Sequence, residues 1–262
     1  MSEAVYWMAC SFEDLPDHDH WLGGDERAHL AALHVPKRRH DWRLGRWTAK
    51  QAVSRALDPA GCAEECANPA AMDWIQIIAA DDGAPEPWLT WPRNPPGGRR
   101  RWPASEWPAG RPDVNLSLSH SGDRGFATAS SSRLALGCDV ERVEPRSETF
   151  IADFLAAEEL PGLNRLSRIF HRDLAATLFW SAKESALKVL RTGLRDDTRS
   201  VLVDVDTQNG ELVAVSGKRE MRGWWWVDEG FVHTVLQMGA RPGAAARLVD
   251  AVALARRTLP RY

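Results

Sequence analysis

Cysteine is scarce in this 262-residue chain. Its four cysteines, Cys10, Cys62, Cys66 and Cys138, show neither paired zinc-type spacing nor the density of a secreted disulfide scaffold. Cys62 and Cys66 are four apart, half a metal site at most, and no second pair accompanies them. Excess charge is missing too. A formal net charge of −3 excludes the strongly basic balance of a typical nucleic-acid-binding domain. No apolar run is long enough to span a bilayer, and the first residues lack a charged stretch leading into an apolar one. A reduced, cytoplasmic protein with no membrane and no nucleic acid among its partners is expected.

The length suffices for one large domain or two smaller lobes. Pro92, Pro95, Pro96, Pro103, Pro108 and Pro112 cluster with glycines and with Arg99, Arg100 and Arg101, which is loop chemistry. The arginine triplet, interleaved with Trp102 and Trp107, reads as a solvated inter-lobe loop in a chain of acidic balance. Lobes over residues 1–110 and 111–262 follow. In the first, strands are predicted near residues 5–10 and 73–79, with a helix from about Asp41 to Leu57. In the second, strands are predicted near 114–119, 126–130 and 134–141, then helices across 150–160 and 170–190. Four further strands separated by turn pairs such as Asn209-Gly210 and Glu229-Gly230 form a meander. The tryptophans Trp224, Trp225 and Trp226 read as core and sheet surface.

Two motifs carry chemistry. In Leu134 to Glu141 the apolar Leu134, Leu136, Cys138 and Val140 alternate with the other residues, so a strand turns Asp139 and Glu141 onto one face, roughly 7 Å apart. In Trp180 to Lys188 the pattern is helical, placing Trp180, Glu184 and Lys188 on one stripe. Each motif alone has an ordinary explanation, a solvated strand face or an i,i+4 ion pair. Together they offer three carboxylates and a lysine, a donor set suited to Mg²⁺ shared with a substrate diphosphate.

Ser117-Leu118-Ser119-His120-Ser121-Gly122, then Gly137 to Glu141, then Trp180 to Lys188 resembles the ordered motif series of the Sfp-like 4'-phosphopantetheinyl transferases. The likeness is strong over residues 113–195 and looser at Asp82 to Pro85 and Lys37 to Arg46. It implies an α/β (α+β) pseudo-dimer of two similar lobes, each a small, mainly antiparallel sheet packed with helices, with the active site between them. It further implies a monomer that moves the phosphopantetheine arm of coenzyme A to a serine of an apo acyl, peptidyl or aryl carrier protein, with Mg²⁺, releasing adenosine 3',5'-bisphosphate. By the same resemblance Asp139, Glu141 and Glu184 are the Mg²⁺ ligands, Glu184 is also the candidate base, and Lys188 meets the diphosphate. Lys37, Arg38, Arg43, Arg46, Ser119, His120 and Lys183 join Lys188 as candidate coenzyme A contacts. Ala84 replaces a lysine common in relatives, Arg191 replaces a common glycine, and Cys138 replaces an aliphatic residue.

Two surfaces extend this reading. Arg39, Arg43, Arg46 and Lys50 share a narrow arc of one helix, with Lys37 and Arg38 at its entrance, a face suited to coenzyme A phosphates. Arg165, Arg168 and Arg172, interspersed with Leu163, Leu166 and Ile169, suit an acidic helix of a carrier domain. The competing readings are a Mg²⁺-dependent phosphohydrolase or nuclease, which uses similar carboxylates, and a non-catalytic carrier-binding module.

Overall fold

The computed structural model describes residues 3–57, 72–90, 110–131, 134–239 and 246–250. Most of the expected inter-lobe loop, including its arginine triplet, and the pair Cys62 and Cys66 lie outside the described residues. The first lobe is built from β1 (Ala4–Ser11), α1 (Gly24–Ala32), α2 (Pro36–Leu57), β2 (Ile75–Ala79), β3 (Pro85–Leu89), β4 (Asn115–Ser121) and β5 (Arg124–Ser130). The second contains β6 (Ala135–Arg142), α3 (Glu148–Phe154), α4 (Leu160–Ile169), α5 (Arg172–Val189), β7 (Leu202–Val205), β8 (Glu211–Ser216), β9 (Arg219–Asp228) and β10 (Phe231–Met238). A last strand, β11 (Arg247–Asp250), returns to the first lobe and pairs in parallel with β1.

Sheet membership moves the lobe boundary from the expected position near residue 110. β4 and β5 pair with the first-lobe sheet, whose order is β11-β1-β5-β4, while β6 opens the second sheet, β6-β10-β9-β8-β7. The chain crosses between lobes after Ser130. The proline-rich stretch misled because it interrupts one lobe instead of joining two.

Each sheet buries one face under a helix and part of the other against its partner sheet. One face of the first sheet packs on α2 through Leu44, Trp47, Val53 and Ala127, and the matching face of the second packs on α5 through Leu178, Phe179, Ala182 and Val232. The remaining faces meet in a third core that includes Val5, Phe126, Leu136, Cys138, Val140 and Val235. Strand alternation sorts the tryptophan run of β9. Trp224 and Trp226 enter the inter-sheet core, where Trp226 lies 4.9 Å from Trp7. Trp225 turns to the helix side, against Phe170.

The lobes repeat one another in detail. Trp47-Thr48-Ala49-Lys50-Gln51 of α2 matches Trp180-Ser181-Ala182-Lys183-Glu184 of α5. Lys50 is fully buried, 2.6 Å from Glu26, and donates to the carbonyls of Trp21 and Met72. Lys183 is equally buried, 2.7 Å from Glu159, and donates to the carbonyls of Thr198 and Val201. The glutamates match as well, Glu26 accepting from the amides of Gly23 and Ile77, Glu159 from those of Ala156 and Val203. Three acceptors for three ammonium protons make each pair a satisfied buried ion pair.

Candidate active site

The second lobe's carboxylates gather where β6 passes under α5. With Leu136, Cys138 and Val140 turned into the inter-sheet core, alternation aims Gly137, Asp139 and Glu141 at the helix. That face is not the solvated one of the ordinary alternative, because α5 covers it and Asp139 is only 1 % exposed. Gly137 makes the close approach possible: a Cβ there would stand 1.9 Å from the Ser185 carbonyl oxygen. Glu184 and Lys188 then come down over the strand, and Lys188 Nζ donates to Asp139 Oδ1 at 2.8 Å and to the Cys138 carbonyl at 2.9 Å.

The other lobe completes the site through alternate serines of β4 facing the free edge of β6. Ser117 Oγ accepts from the Cys138 amide, Ser121 Oγ accepts from the Arg142 amide, and Ser119 Oγ donates to Asp139 Oδ1 at 2.6 Å. Glu141 is held on both oxygens, by Trp180 Nε1 at 3.2 Å and by Arg146 Nη2 at 3.1 Å. Sequence reasoning missed Arg146, since the loop after β6 carries no periodic signal.

Negative charge accumulates here under partial burial. Burial, then the charges of Asp139 and Glu141, push the Glu184 carboxyl up to about 7, Lys188 and Arg146 only partly opposing them. Burial and Asp139 also raise Glu141. Burial pulls the Lys188 ammonium down, but Asp139, Cys138 and Glu184 outweigh it and hold it charged.

Among the described residues no three His, Cys, Asp or Glu side chains already converge as a cation cage. The reason lies in the ion pairs: Lys188 takes Asp139 Oδ1 and Arg146 takes Glu141 Oε2. One donor remains over, because Asp139 Oδ2 is buried without a hydrogen-bond partner. An orphaned carboxylate oxygen beside two carboxyls raised by burial and by the Asp139 charge fits a hard divalent cation.

The remaining expected residues divide. Lys183 is corrected: its ammonium is buried in the Glu159 pair and is unavailable to a ligand. Lys50 leaves the basic arc for the same reason. Arg39 caps α1 through the Leu30 and Leu33 carbonyls, and Arg43 ties the segment before α1 through Asp19 and the Pro16 carbonyl. The arc is therefore largely spent on the fold. Arg46 lies over the Trp42 ring with its Nε unpartnered. Lys37, Arg38 and His120 are exposed, Lys37 pairing with Asp41 at 2.6 Å and His120 Nε2 lying 3.9 Å from the same carboxylate. On α4, Leu163 and Leu166 enter the core, Arg168 and Ile169 face solvent, and Arg165 pairs with Asp204, while Arg172, which opens α5, pairs with Glu148.

A cavity of about 380 Å³ opens beside Lys188, between the β2–β3 turn, β4 and the end of α5. Arg191 spans its rim, donating to both Asp82 oxygens at 2.7 and 2.9 Å and to Glu86 at 3.2 Å. The two sequence departures thus meet, since Ala84 lies between those two acidic residues.

Residues 135–236 match the family model "4'-phosphopantetheinyl transferase superfamily". Over 253 residues the chain is 30% identical to the 4'-phosphopantetheinyl transferase Svp of Streptomyces mobaraensis, covering 90% of this chain and 86% of that protein. A crystal structure of the Thermotoga maritima holo-[acyl-carrier-protein] synthase aligns over 41% of this chain and 64% of its own at 23% identity and a TM-score of 0.33. With 30% identity to a 4'-phosphopantetheinyl transferase over nearly the whole of both chains, and the family model matching the second lobe, the chain belongs to the 4'-phosphopantetheinyl transferase superfamily.

Proposed function

We propose that this enzyme moves phosphopantetheine from coenzyme A to the serine hydroxyl of an apo carrier protein. The observation that carries the reading is Glu184 and Lys188 of α5 set against Asp139 and Glu141 of β6, with Ser119 of the opposite lobe fixing Asp139. Asp139, Glu141 and Glu184 are the residues that would hold Mg²⁺, which when bound neutralises the diphosphate and polarises its phosphorus.

The chain's own groups account for the rest. Glu184 is a carboxylate of the site that keeps about a fifth of its side chain exposed, so it suits removal of the serine proton as the serine oxygen bonds to phosphorus. The phosphorus–oxygen bond to the nucleotide breaks, and adenosine 3',5'-bisphosphate leaves with the electron pair. Lys188, held charged, offsets the developing charge on that leaving group. His120, Lys37 and Arg38 are the exposed candidates for coenzyme A phosphates, and the cavity beside Lys188 has room for part of the ligand. Arg168 and Ile169 offer a basic and apolar edge to a carrier.

Intact-mass measurement of an apo carrier incubated with enzyme, coenzyme A and Mg²⁺ tests the reading. A carrier heavier by one phosphopantetheine group is expected, with loss of transfer in Glu184→Gln. Coenzyme A consumed without carrier loading would point to a hydrolase, and neither event to a binding module.

A further inference from the structure

Glu141 is held on both of its carboxylate oxygens, and one of the two residues holding it is cationic. Arg146 reaches back five positions from the loop after β6 to place Nη2 on Glu141 Oε2 at 3.1 Å, while Nη1 meets Glu144 at 3.1 Å. Its guanidinium lies 4.9 Å over the Phe150 ring, on the first turn of α3. Its Nε is buried without a partner, so packing against Phe150 and the two carboxylates fix the group. Trp180 holds the other Glu141 oxygen, and that contact adds no charge.

We propose that Arg146 is a positioning residue that stands in for the divalent cation: it keeps Glu141 aimed into the site and competes with the cation for Glu141 Oε2. The proposal rests on the reading of Asp139, Glu141 and Glu184 as the cation site. Three observations meet in it. The carboxyls do not form a ready cage, Arg146 occupies one of the oxygens a cage would use, and Asp139 Oδ2 is left unpartnered. Binding then exchanges one cation for another on Glu141. Arg146 keeps Glu144 and the Phe150 face as anchors, so it need only swing its outer nitrogen away. Such an exchange lowers apparent cation affinity while sparing Glu141 a bare, repelling position in the empty enzyme.

The test is Mn²⁺ and Mg²⁺ titration by calorimetry of the protein without coenzyme A, at pH 8, with thermal melting in chelator and at saturating cation. Arg146→Ala should bind Mn²⁺ about fivefold to tenfold more tightly than native protein. It should melt earlier in chelator and regain native melting at saturating Mn²⁺. Arg142→Ala removes a charge from the same strand end, where it pairs with Asp123, and should change affinity less than about twofold. Equal effects of the two substitutions would reduce Arg146 to a distant charge and overturn the proposal. So would unchanged or weaker binding in a folded Arg146→Ala or, should that variant not fold, in Arg146→Gln. Native protein that binds neither cation would overturn the cation site itself, a result distinct from either of these.

Discussion

Arg191 shows how one residue can serve two opposed demands. It follows α5 as the residue that closes a Schellman turn, its amide bonding to the Lys188 carbonyl and the Thr192 amide to the Leu187 carbonyl. That position needs a left-handed backbone, and Arg191 adopts φ 60° without being glycine. The cost, about 1 kcal/mol, is accepted for a side chain that grips Asp82 and Glu86 of the opposite lobe. Arg191→Ala should therefore be less stable than Arg191→Gly by about 1 kcal/mol in urea titration, because both lose the grip and only alanine keeps the strained backbone. Equal stabilities would show that the turn carries no strain. Sequence alone marked Arg191 and Ala84 as two unrelated departures. Their connection needed the fold, since the residues meet only when the lobes close on each other.

At the scale of elements, the site depends on how near α5 comes to β6. Ser185 and Val189 backbone atoms occupy the space a Gly137 side chain would need, and backbone cannot rotate aside as a flexible side chain can. Gly137→Ala should push the helix outward, costing about 1–3 kcal/mol as overpacking does. Lifting Glu184 and Lys188 from Asp139 should also lower carrier loading by more than tenfold, measured as initial rate in the folded variant. Native rates would mean that catalysis tolerates a looser helix. The alternation of β6 and the stripe of α5 were both readable, and the resemblance to the transferase motif series joined Asp139 and Glu141 to Glu184 and Lys188 before any coordinates. The burial of Asp139 was not readable: period-two alternation identifies a face but not what covers it. Lys183 failed for a related reason. A lysine in a polar motif looks available to ligand, and only the distant Glu159 shows that it is a buried structural cation.

The whole molecule is two lobes of one plan, yet only one carries the carboxylates. At the positions matching Asp139 and Glu184 the first lobe has Tyr6 and Gln51, so the duplicate scaffold keeps its buried Lys50–Glu26 pair and lacks the acidic chemistry. The repeat was present in the sequence as Trp47 to Gln51 and Trp180 to Glu184, joined to glutamates at equal separation. It escaped notice because the flanking residues have diverged, and the expected division at residue 110 cut the first copy short. The lobes are fused along the inter-sheet core, and His233 sits inside that seam, stacked on Trp226 at 5.1 Å and edge-on to Phe126 at 5.0 Å, its Nδ1 unpartnered. Burial, helped by the nearby Arg124 charge, lowers its pKa to about 4. The unfolded chain binds this proton from about pH 6.5 downward, whereas the folded protein resists until about pH 4. His233 therefore imposes no penalty above pH 6.5 and removes stability progressively as pH falls to about 4, up to about 3 kcal/mol. Glu184, raised to about 7, acts with the opposite sign over part of this range by taking up a proton in the folded state. The difference between His233→Phe and native protein cancels that shared contribution. Chemical denaturation at several pH values should then show the variant losing less stability than native protein between pH 6.5 and 4. Because the histidine lies where the two sheets meet, the loss should appear in one transition seen equally by probes of both lobes. Parallel pH curves for the two proteins would mean that the seam admits a charged imidazole without cost.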